Sequence, residues 1–330
     1  MGTSVFFSGI GISTDVVFSA WCNAWINGWV ASGLTRTSDT GQFSGAAAFP
    51  APGSGGVFIG SAYAVFRFSD PLQATHPVFF RIDFGTNGTA RPALRLRVGK
   101  GTDGAGNISG VLLTQVVNHA MAATPNYETA TPYTHLASSG PGYFAFLGFV
   151  DHPGSTGGVQ QNYPIIIERS RDANGDLTGD GLLVAASPGA YSTSNNSISL
   201  TSGSYRNPVW GFNYASGYYF QSTAPVTAPY SINGTPLGAS TSIASGGIGP
   251  VLPWVMLAPA VAPWQATAIA CIPSGDFPGG DFSPVLNGRT ITMRPVDAVN
   301  YPIHSAWATA YQPGSTSVAS SAIGPAIRWE

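Results

Sequence analysis

The chain has 330 residues, enough for one large or two ordinary domains, and 44% of them are hydrophobic, so a buried core is expected rather than intrinsic disorder. Only 8% of the residues are charged, and the basic ones are twelve arginines and a single lysine, Lys100. Nucleic-acid binding depends on a dense basic surface, so this composition argues against it. With 42 Gly, 26 Pro and three Glu, long charged helices are excluded as well, and a turn-rich β protein is favoured.

Two segments bear on export and on membranes. The first basic residue is Arg36, so the positively charged start of a secretory signal is missing and we expect no export by that route. The segment 251–272 is uncharged and long enough to span a bilayer, but Pro253, Pro259 and Pro263 interrupt it. We therefore expect packed strands and loops there, and no membrane insertion.

One segment, from Ser13 to Val30, predicts an α-helix. Ser13 or Thr14 can cap its first turn, and Phe18 and three tryptophans recur along one face at three- and four-residue spacing. Such an aromatic stripe more often packs on a core than grips a partner, so we expect it to be buried. Gly33 is the expected stop.

From Phe43 onward, short apolar runs alternate with Gly, Pro, Asn and Asp, which is typical of consecutive β-strands. Asn87-Gly88 favours a hairpin between the second and third runs, and period-two alternation places Arg95 and Arg97 on one face of the third. The predicted strands are Ala62–Phe68, Pro77–Phe84, Ala93–Val98, Val111–Val117, Tyr143–Val150, Ile165–Arg169 and Leu182–Ala185. The pattern predicts a mainly β protein, an antiparallel β-sandwich or jelly-roll-like architecture with one N-terminal helix.

The segment between residues 120 and 135 has the composition of a connection, with Pro125 and Pro132 inside it. We therefore divide the chain into residues 1–125, an N-terminal helix plus a β region, and residues 126–330, a β-rich region. The alternative is that both regions belong to one domain. The sequence has no internal repeat and no heptad array, so a coiled-coil shaft is not predicted.

A long uncharged segment runs from Asn207 to Gly275 and contains no Asp, Glu, Lys, Arg or His in 69 residues. Open to solvent, its aromatic residues would form an apolar surface, so we expect neighbouring subunits to cover part of it. The predicted interaction residues are Trp210, Tyr214, Tyr218, Tyr219, Trp254 and Trp264. The alternatives are that these rings are buried in the core or that exposed ones stack on sugars.

Two polar loops resemble ligand-binding motifs without completing them. The run Gly99–Gly104 fits G-x-G-x-x-G, but more glycines follow where a nucleotide-binding unit needs a helix, so we expect a strand-to-strand loop. Oxygen side chains alternate from Asp172 to Asp180 as in calcium loops, but Leu177 and Leu183 replace the glycine and glutamate of an EF-hand. We predict a plain hairpin loop there and no bound metal or cofactor.

The other reactive side chains form no catalytic or metal-binding motif. The five histidines are scattered, His76 and His152 precede proline, and neither G-x-S-x-G nor H-E-x-x-H occurs. Cys22 and Cys271 could form one bridge, but buried free thiols are the preferred interpretation. We expect no enzymatic activity.

Three segments carry a resemblance to a known class of proteins. They are Thr35–Gln42, Phe66–Gly85 and Val98–Asn107, the last reading Val-Gly-Lys-Gly-Thr-Asp-Gly-Ala-Gly-Asn. Together they resemble a recurrent block in uncharacterised structural, tail-associated proteins of tailed bacteriophages. The resemblance covers roughly residues 13–110 and assigns no catalytic residue.

The resemblance implies a virion structural protein, and within that class we expect a tail component, that is, a fibre, tip or adaptor. Such a protein acts by assembly, with copies of itself and other virion proteins as partners, in a particle put together in the host cytoplasm. One alternative is a capsid decoration protein. Another is a carbohydrate-binding or cell-wall-degrading module with a host surface glycan as its ligand.

Overall fold

The computed structural model describes residues 2–7, 14–51, 57–86, 92–118, 133–150, 161–186, 209–213, 219–222, 252–256, 264–273, 281–286, 289–295 and 323–330. Strands make up more than half of these residues, all strand pairs are antiparallel, and one α-helix lies near the N-terminus. The predicted mainly β class with one N-terminal helix is therefore confirmed.

The helix α1 spans Asp15–Ala31, and a short 3-10 helix spans Pro71–Ala74. The strands are, in chain order, β1 (Gly2–Phe7), β2 (Thr35–Arg36), β3 (Ile59–Arg67), β4 (Phe79–Thr86), β5 (Pro92–Thr102), β6 (Ile108–Asn118), β7 (Tyr133–Gly140), β8 (Tyr143–Val150), β9 (Gln161–Arg171), β10 (Leu177–Ala186), β11 (Val209–Asn213), β12 (Tyr219–Ser222), β13 (Leu252–Met256), β14 (Trp264–Pro273), β15 (Val285–Leu286), β16 (Arg289–Thr290), β17 (Met293–Pro295) and β18 (Ile323–Arg328).

Helix α1 begins and ends where the sequence predicts. The Thr14 hydroxyl accepts a hydrogen bond from the Val17 backbone N–H at 3.3 Å, which satisfies one of the free donors of the first turn. After Ser32 the backbone of Gly33 takes φ +115°, a left-handed conformation that favours glycine and ends the helix. The buried face carries Phe18, Trp21, Cys22, Trp25, Ile26 and Trp29, so the aromatic stripe belongs to the core, as predicted.

Two antiparallel sheets enclose this helical face. The five-stranded sheet has the order β2-β3-β4-β5-β6, and the seven-stranded sheet has the order β1-β7-β8-β9-β10-β11-β12. The Trp29 ring lies 5.7 Å from Phe66 of the first sheet and 5.4 Å from Phe146 of the second. Phe80 and Phe144 also stack directly across the gap at 5.6 Å, so the two sheets form a sandwich-like core with α1 packed between them.

A third layer covers the other face of the seven-stranded sheet. The four-stranded sheet has the order β13-β14-β18-β17, and β14 packs across β8 and β9. Along β9 the side chains of Ile165 and Ile167 enter the core beside α1. Because side chains alternate along a strand, Glu168 points to the opposite face, toward β14. Strands β15 and β16 form a separate two-stranded hairpin.

The N-terminal strand belongs to the seven-stranded sheet, although the next five strands form the other large sheet, and the sequence pattern did not predict this. Strand β1 pairs with β7, residues Gly2 to Phe7 lying opposite Ser138 to Tyr133.

The expected division between residues 1–125 and 126–330 falls within residues 119–132, which lie outside the described residues. The described parts on either side of that segment share one core. Within the described ranges, no helix is long and apolar enough to cross a membrane.

Candidate functional site

The structure places four of the six predicted interaction residues on strands. Trp210 lies on β11, Tyr219 on β12, Trp254 on β13 and Trp264 on β14, while Tyr214 and Tyr218 lie outside the described residues. Tyr219 pairs with Phe212, and Trp264 pairs with Met256. Their participation in subunit contacts stays a prediction.

Two of these strands are the outermost described strands of their sheets. Strand β12 ends the order of the seven-stranded sheet, and β13 ends that of the four-stranded sheet. Natural edge strands are usually protected from pairing with another chain by charged residues or proline. Strand β13 contains Pro253, but the sequence of β12, Tyr-Phe-Gln-Ser, contains neither safeguard. Among the described residues, no strand pairs with the outer edge of β12.

A cluster of charged side chains lies on the five-stranded sheet, on the face opposite α1. The register of β4 and β5 puts Asp83 opposite Arg95 and Arg81 opposite Arg97. The Asp83 carboxylate is 3% exposed and accepts hydrogen bonds from Arg81 Nε at 2.7 Å, Arg95 Nε at 3.0 Å and Arg97 Nε at 3.1 Å. We call Arg81, Asp83, Arg95 and Arg97 the arginine cluster.

The arginine cluster is not electrically balanced, because one carboxylate faces three guanidinium groups. Burial lowers the pKa of Arg97 below its ordinary value, and repulsion from Arg95 and Arg81 acts in the same direction, against the attraction of Asp83. The Arg81 guanidinium lies 3.6 Å from the centre of the Tyr63 ring, and that of Arg95 lies 4.8 Å from the centre of the Phe58 ring. These contacts orient the guanidinium groups.

The glycine-rich loop borders the arginine cluster at one end. The connection from β5 to β6 is residues 103–107, so a strand-to-strand loop is found, but Gly99 to Thr102 of the predicted loop belong to β5 and pair with β6. The Asp103 carboxylate accepts the backbone N–H groups of Ala105 at 2.8 Å and Asn107 at 3.0 Å, groups that a phosphate-binding loop would present to its ligand. The Asn107 side-chain amide donates as well and is the largest cause of a lowered pKa of Asp103.

Tyr63 ties that loop to the segment Thr35–Gln42. Its hydroxyl donates to the backbone carbonyl of Thr40 at 2.6 Å and lies 3.1 Å from that of Ala105, and Arg81 Nη1 donates to the Gly106 carbonyl at 2.8 Å. Gly106 has φ +84°, and a Cβ there would meet the Tyr63 ring. The segments Thr35–Gln42, Phe66–Gly85 and Val98–Asn107 therefore meet on one face of the five-stranded sheet.

A buried ion pair joins the two large sheets. Arg169 on β9 donates from Nε to Asp70 at 2.9 Å, from Nη1 to the His76 carbonyl at 2.7 Å and from Nη2 to the Gln73 side chain at 3.1 Å. Asp70 and His76 flank the 3-10 helix that leads into β4. The side chains of Arg169 and Asp70 are 2% and 0% exposed, so the pair is removed from water and its hydrogen bonds fix the loop on β9.

A buried carboxylate joins the seven-stranded sheet to the outer four-stranded sheet. Glu168 on β9 accepts the backbone N–H groups of Thr267 at 2.8 Å and Ala268 at 2.9 Å, and the Thr267 hydroxyl at 2.6 Å. Arg328 on β18 donates to the same hydroxyl at 3.1 Å and lies over the Tyr143 ring at 4.5 Å. The sequence did not reveal this function of Glu168, because its partners lie about a hundred residues away.

The loop from Asp172 to Asp180 is part of a hairpin between β9 and β10, as predicted. The Asp172 carboxylate accepts the backbone N–H groups of Asn174 and Asp176, each at 2.9 Å. Arg289 forms an exposed ion pair with Asp176. Among the described residues, no group of three or more His, Cys, Asp or Glu side chains is arranged to hold a metal ion.

Of the two cysteines, Cys22 is a buried free thiol in α1, and burial raises the pKa of this thiol. Cys271 lies on β14 opposite Leu252 and Pro325. His76 packs against Gly179, where a Cβ would meet its imidazole ring, so this histidine has a packing role.

Comparison of the chain with known protein families, with curated proteins and with solved structures finds no match.

Proposed function

We propose that the chain is a structural protein of a tailed-bacteriophage virion, a tail component such as a fibre, tip or adaptor, that acts by protein–protein assembly. Its partners are other virion proteins and copies of itself, in a particle assembled in the host cytoplasm. The resemblance of residues 13–110 to phage structural proteins motivates this proposal. The fold and its surfaces supply further support, beginning with the edge of the seven-stranded sheet.

The observation that carries the proposal is the uncharged edge at β12. Strands β11 and β12 lie within the segment Asn207–Gly275, which has no charged residue, and β12 is the outermost described strand of its sheet. An edge without charge or proline pairs readily with a strand of another chain, by backbone hydrogen bonds that need no particular sequence. Repeated contacts of this kind suit a subunit of an assembly.

The roles of the buried charged side chains also support a structural function. Arg169 and Asp70 join the two large sheets, and Glu168 joins the seven-stranded sheet to β14. Both sets of contacts link elements about a hundred residues apart in the chain. Side chains with these hydrogen-bond partners link distant secondary-structure elements within the fold. A subunit that transmits force or holds its neighbours in place benefits from such internal links.

Adding a charge to β12 tests the proposal. Tyr219→Asp places a carboxylate on the proposed contact strand, and burying it without a partner costs several kcal/mol, roughly the free energy of a modest interface. The matched control is Ala173→Asp, which adds the same charge to an exposed position in the hairpin loop after β9. Light scattering of the purified chain and incorporation into phage particles are the two measurements.

We expect Tyr219→Asp to lower both the assembled fraction and the incorporation, and Ala173→Asp to leave both near wild type. A wild-type chain that is monomeric and never enters particles would contradict the proposal, as would normal incorporation of both variants. Turnover of isolated cell wall or host polysaccharide by the purified chain would favour the degrading module instead.

A further inference from the structure

The arginine cluster has hydrogen-bonding capacity that Asp83 does not use. Arg97 holds the carboxylate with Nε and Nη2, and Arg95 holds it with Nε alone. Both Nη groups of Arg95 and the Nη1 group of Arg97 donate to no residue in the described part of the chain. These side chains are 28% and 22% exposed, against 12% for Arg81, so their free N–H groups are open to a ligand.

The chemistry of the cluster selects an oxyanion. Three guanidinium groups and one carboxylate leave an excess of positive charge in a partly desolvated position, where a second anion would be attracted strongly. The planar fork of an arginine matches the two oxygens of a carboxylate. The two Nη groups of Arg95 can donate to one such group, and the free Nη1 group of the neighbouring Arg97 can add a further hydrogen bond.

The distribution of charge along the chain points to a protein as the source of that anion. Residues 35–118, which form the five-stranded sheet, contain seven basic and four acidic residues, whereas the rest of the chain contains six basic and eleven acidic residues. In a second copy of this chain, the residues outside 35–118 therefore have the complementary charge. A basic sheet face on one subunit can meet acidic side chains on another.

The aromatic rings beside the arginine cluster do not favour a sugar. Sugars bind to proteins largely by stacking on open aromatic faces. The Tyr63 ring is in contact with the Arg81 guanidinium and with Gly106, and the Phe58 ring lies against the Arg95 guanidinium. A polypeptide carboxylate needs only the guanidinium N–H groups and no ring.

We propose that Arg95 and Arg97 bind the carboxylate of an Asp or Glu side chain on a neighbouring protein subunit. The inference rests on the proposed function, because it supplies that assembly with a charged contact separate from the β12 edge. Arg81 and Asp83 position the two binding arginines: Asp83 holds their Nε groups, and Arg81 anchors Asp83 to the glycine-rich loop through Gly106.

The test uses the purified full-length chain and two probes of equal charge. One is a tetra-aspartate peptide, fluorescently labelled at its N-terminus and amidated at its C-terminus, and the other is a labelled tetragalacturonate, which carries its four carboxylates on sugar rings. Binding is measured by fluorescence anisotropy at fixed low ionic strength. The variants are Arg95→Gln and Arg97→Gln, and each leaves Asp83 with two arginine partners, so the sheet is expected to remain folded.

The matched control is Arg294→Gln. Arg294 also pairs with an aspartate, Asp281, and also lies over an aromatic ring, that of Trp329 at 4.0 Å, but it belongs to the four-stranded sheet. Removing a charge there tests whether any loss of binding follows from net charge alone. Thermal unfolding of every variant checks that the fold is intact.

We expect saturable tetra-aspartate binding that is weakened about tenfold by either cluster variant, since charge-assisted hydrogen bonds are lost, and little affected by Arg294→Gln. Tetragalacturonate should bind at least about tenfold more weakly than the peptide. No saturable peptide binding to the wild type, equal loss in the control, or tighter binding of tetragalacturonate would overturn the inference. Because no phage particle is involved, these results are independent of the incorporation experiment.

Discussion

At the scale of single residues, the same type of ion pair has two different roles in this protein. Arg169 and Asp70 are buried, and every nitrogen of the Arg169 guanidinium has an acceptor. Arg289 and Asp176 form a pair of similar chemistry, but 48% and 67% of their side chains are exposed. Water and salt screen the exposed pair, whereas the buried carboxylate depends on its arginine partner.

We predict that Arg169→Met lowers the free energy of unfolding by about 3–5 kcal/mol, because it leaves Asp70 charged and buried without its partner. The control Arg289→Met, which breaks the exposed pair, should change that free energy by less than about 1 kcal/mol. Urea unfolding followed by tryptophan fluorescence measures both. Equal effects of the two substitutions would show that Arg169 does not tie the sheets together.

The charged contacts at this scale could be predicted only in part. Period-two alternation in β5 places Arg95 and Arg97 on one face, and the structure agrees. The participation of Asp83 depends on the register between β4 and β5, which the alternation within either strand does not determine. Glu168 and Arg169 depend on contacts across about a hundred residues, and no local pattern in the sequence signals such contacts.

At the scale of secondary-structure elements, α1 forms the centre of the core. Its residue Trp29 contacts Phe66 and Phe84 on the five-stranded sheet and Phe144 and Phe146 on the seven-stranded sheet. The edge-to-face geometry of most of these contacts adds to the burial of the indole. One helix therefore provides apolar surface to both sheets.

We predict that Trp29→Ala lowers the free energy of unfolding by about 3–5 kcal/mol, because the cavity would open between both sheets. The matched control, Val16→Ala, shortens a side chain of the same helix that is 79% exposed and should change that free energy by less than about 0.5 kcal/mol. Chemical denaturation monitored by far-ultraviolet circular dichroism gives both values. A small effect of Trp29→Ala would mean that the sheets pack without the helix.

Elements with strong local patterns were predictable and others were not. Helix α1 and strand β8 are found within one or two residues of their predicted positions, because spaced tryptophans and a continuous apolar run signal them. Strands β1, β2, β7 and β15 to β18 were not predicted, and for the segment that contains β11 to β14 the sequence predicted strands and loops without bounds. Strand β2 is only two residues long, and β7 contains the polar run Ala-Ser-Ser-Gly, so their extended structure depends on pairing with β3 and β8.

At the scale of the whole molecule, three layers of antiparallel sheet leave two chemically different surfaces. One is the uncharged edge at β12, and the other is the arginine cluster on the outer face of the five-stranded sheet. From the long uncharged segment the sequence predicted a subunit contact somewhere within residues 207–275, but it did not predict that β12 lies at a sheet edge. It did not predict the second, because the cluster exists only once β4 and β5 pair. Contacts through both surfaces would give a subunit two different neighbours.

The central proposal, that this chain is a virion subunit acting by assembly, is tested most directly by a density map of the purified phage particle. We expect density for the stacked sheets in the tail, with the β12 edge against another subunit. Density on the capsid surface would replace the tail assignment by that of a decoration protein. A complete map in which no density fits the fold of this chain would contradict the proposal.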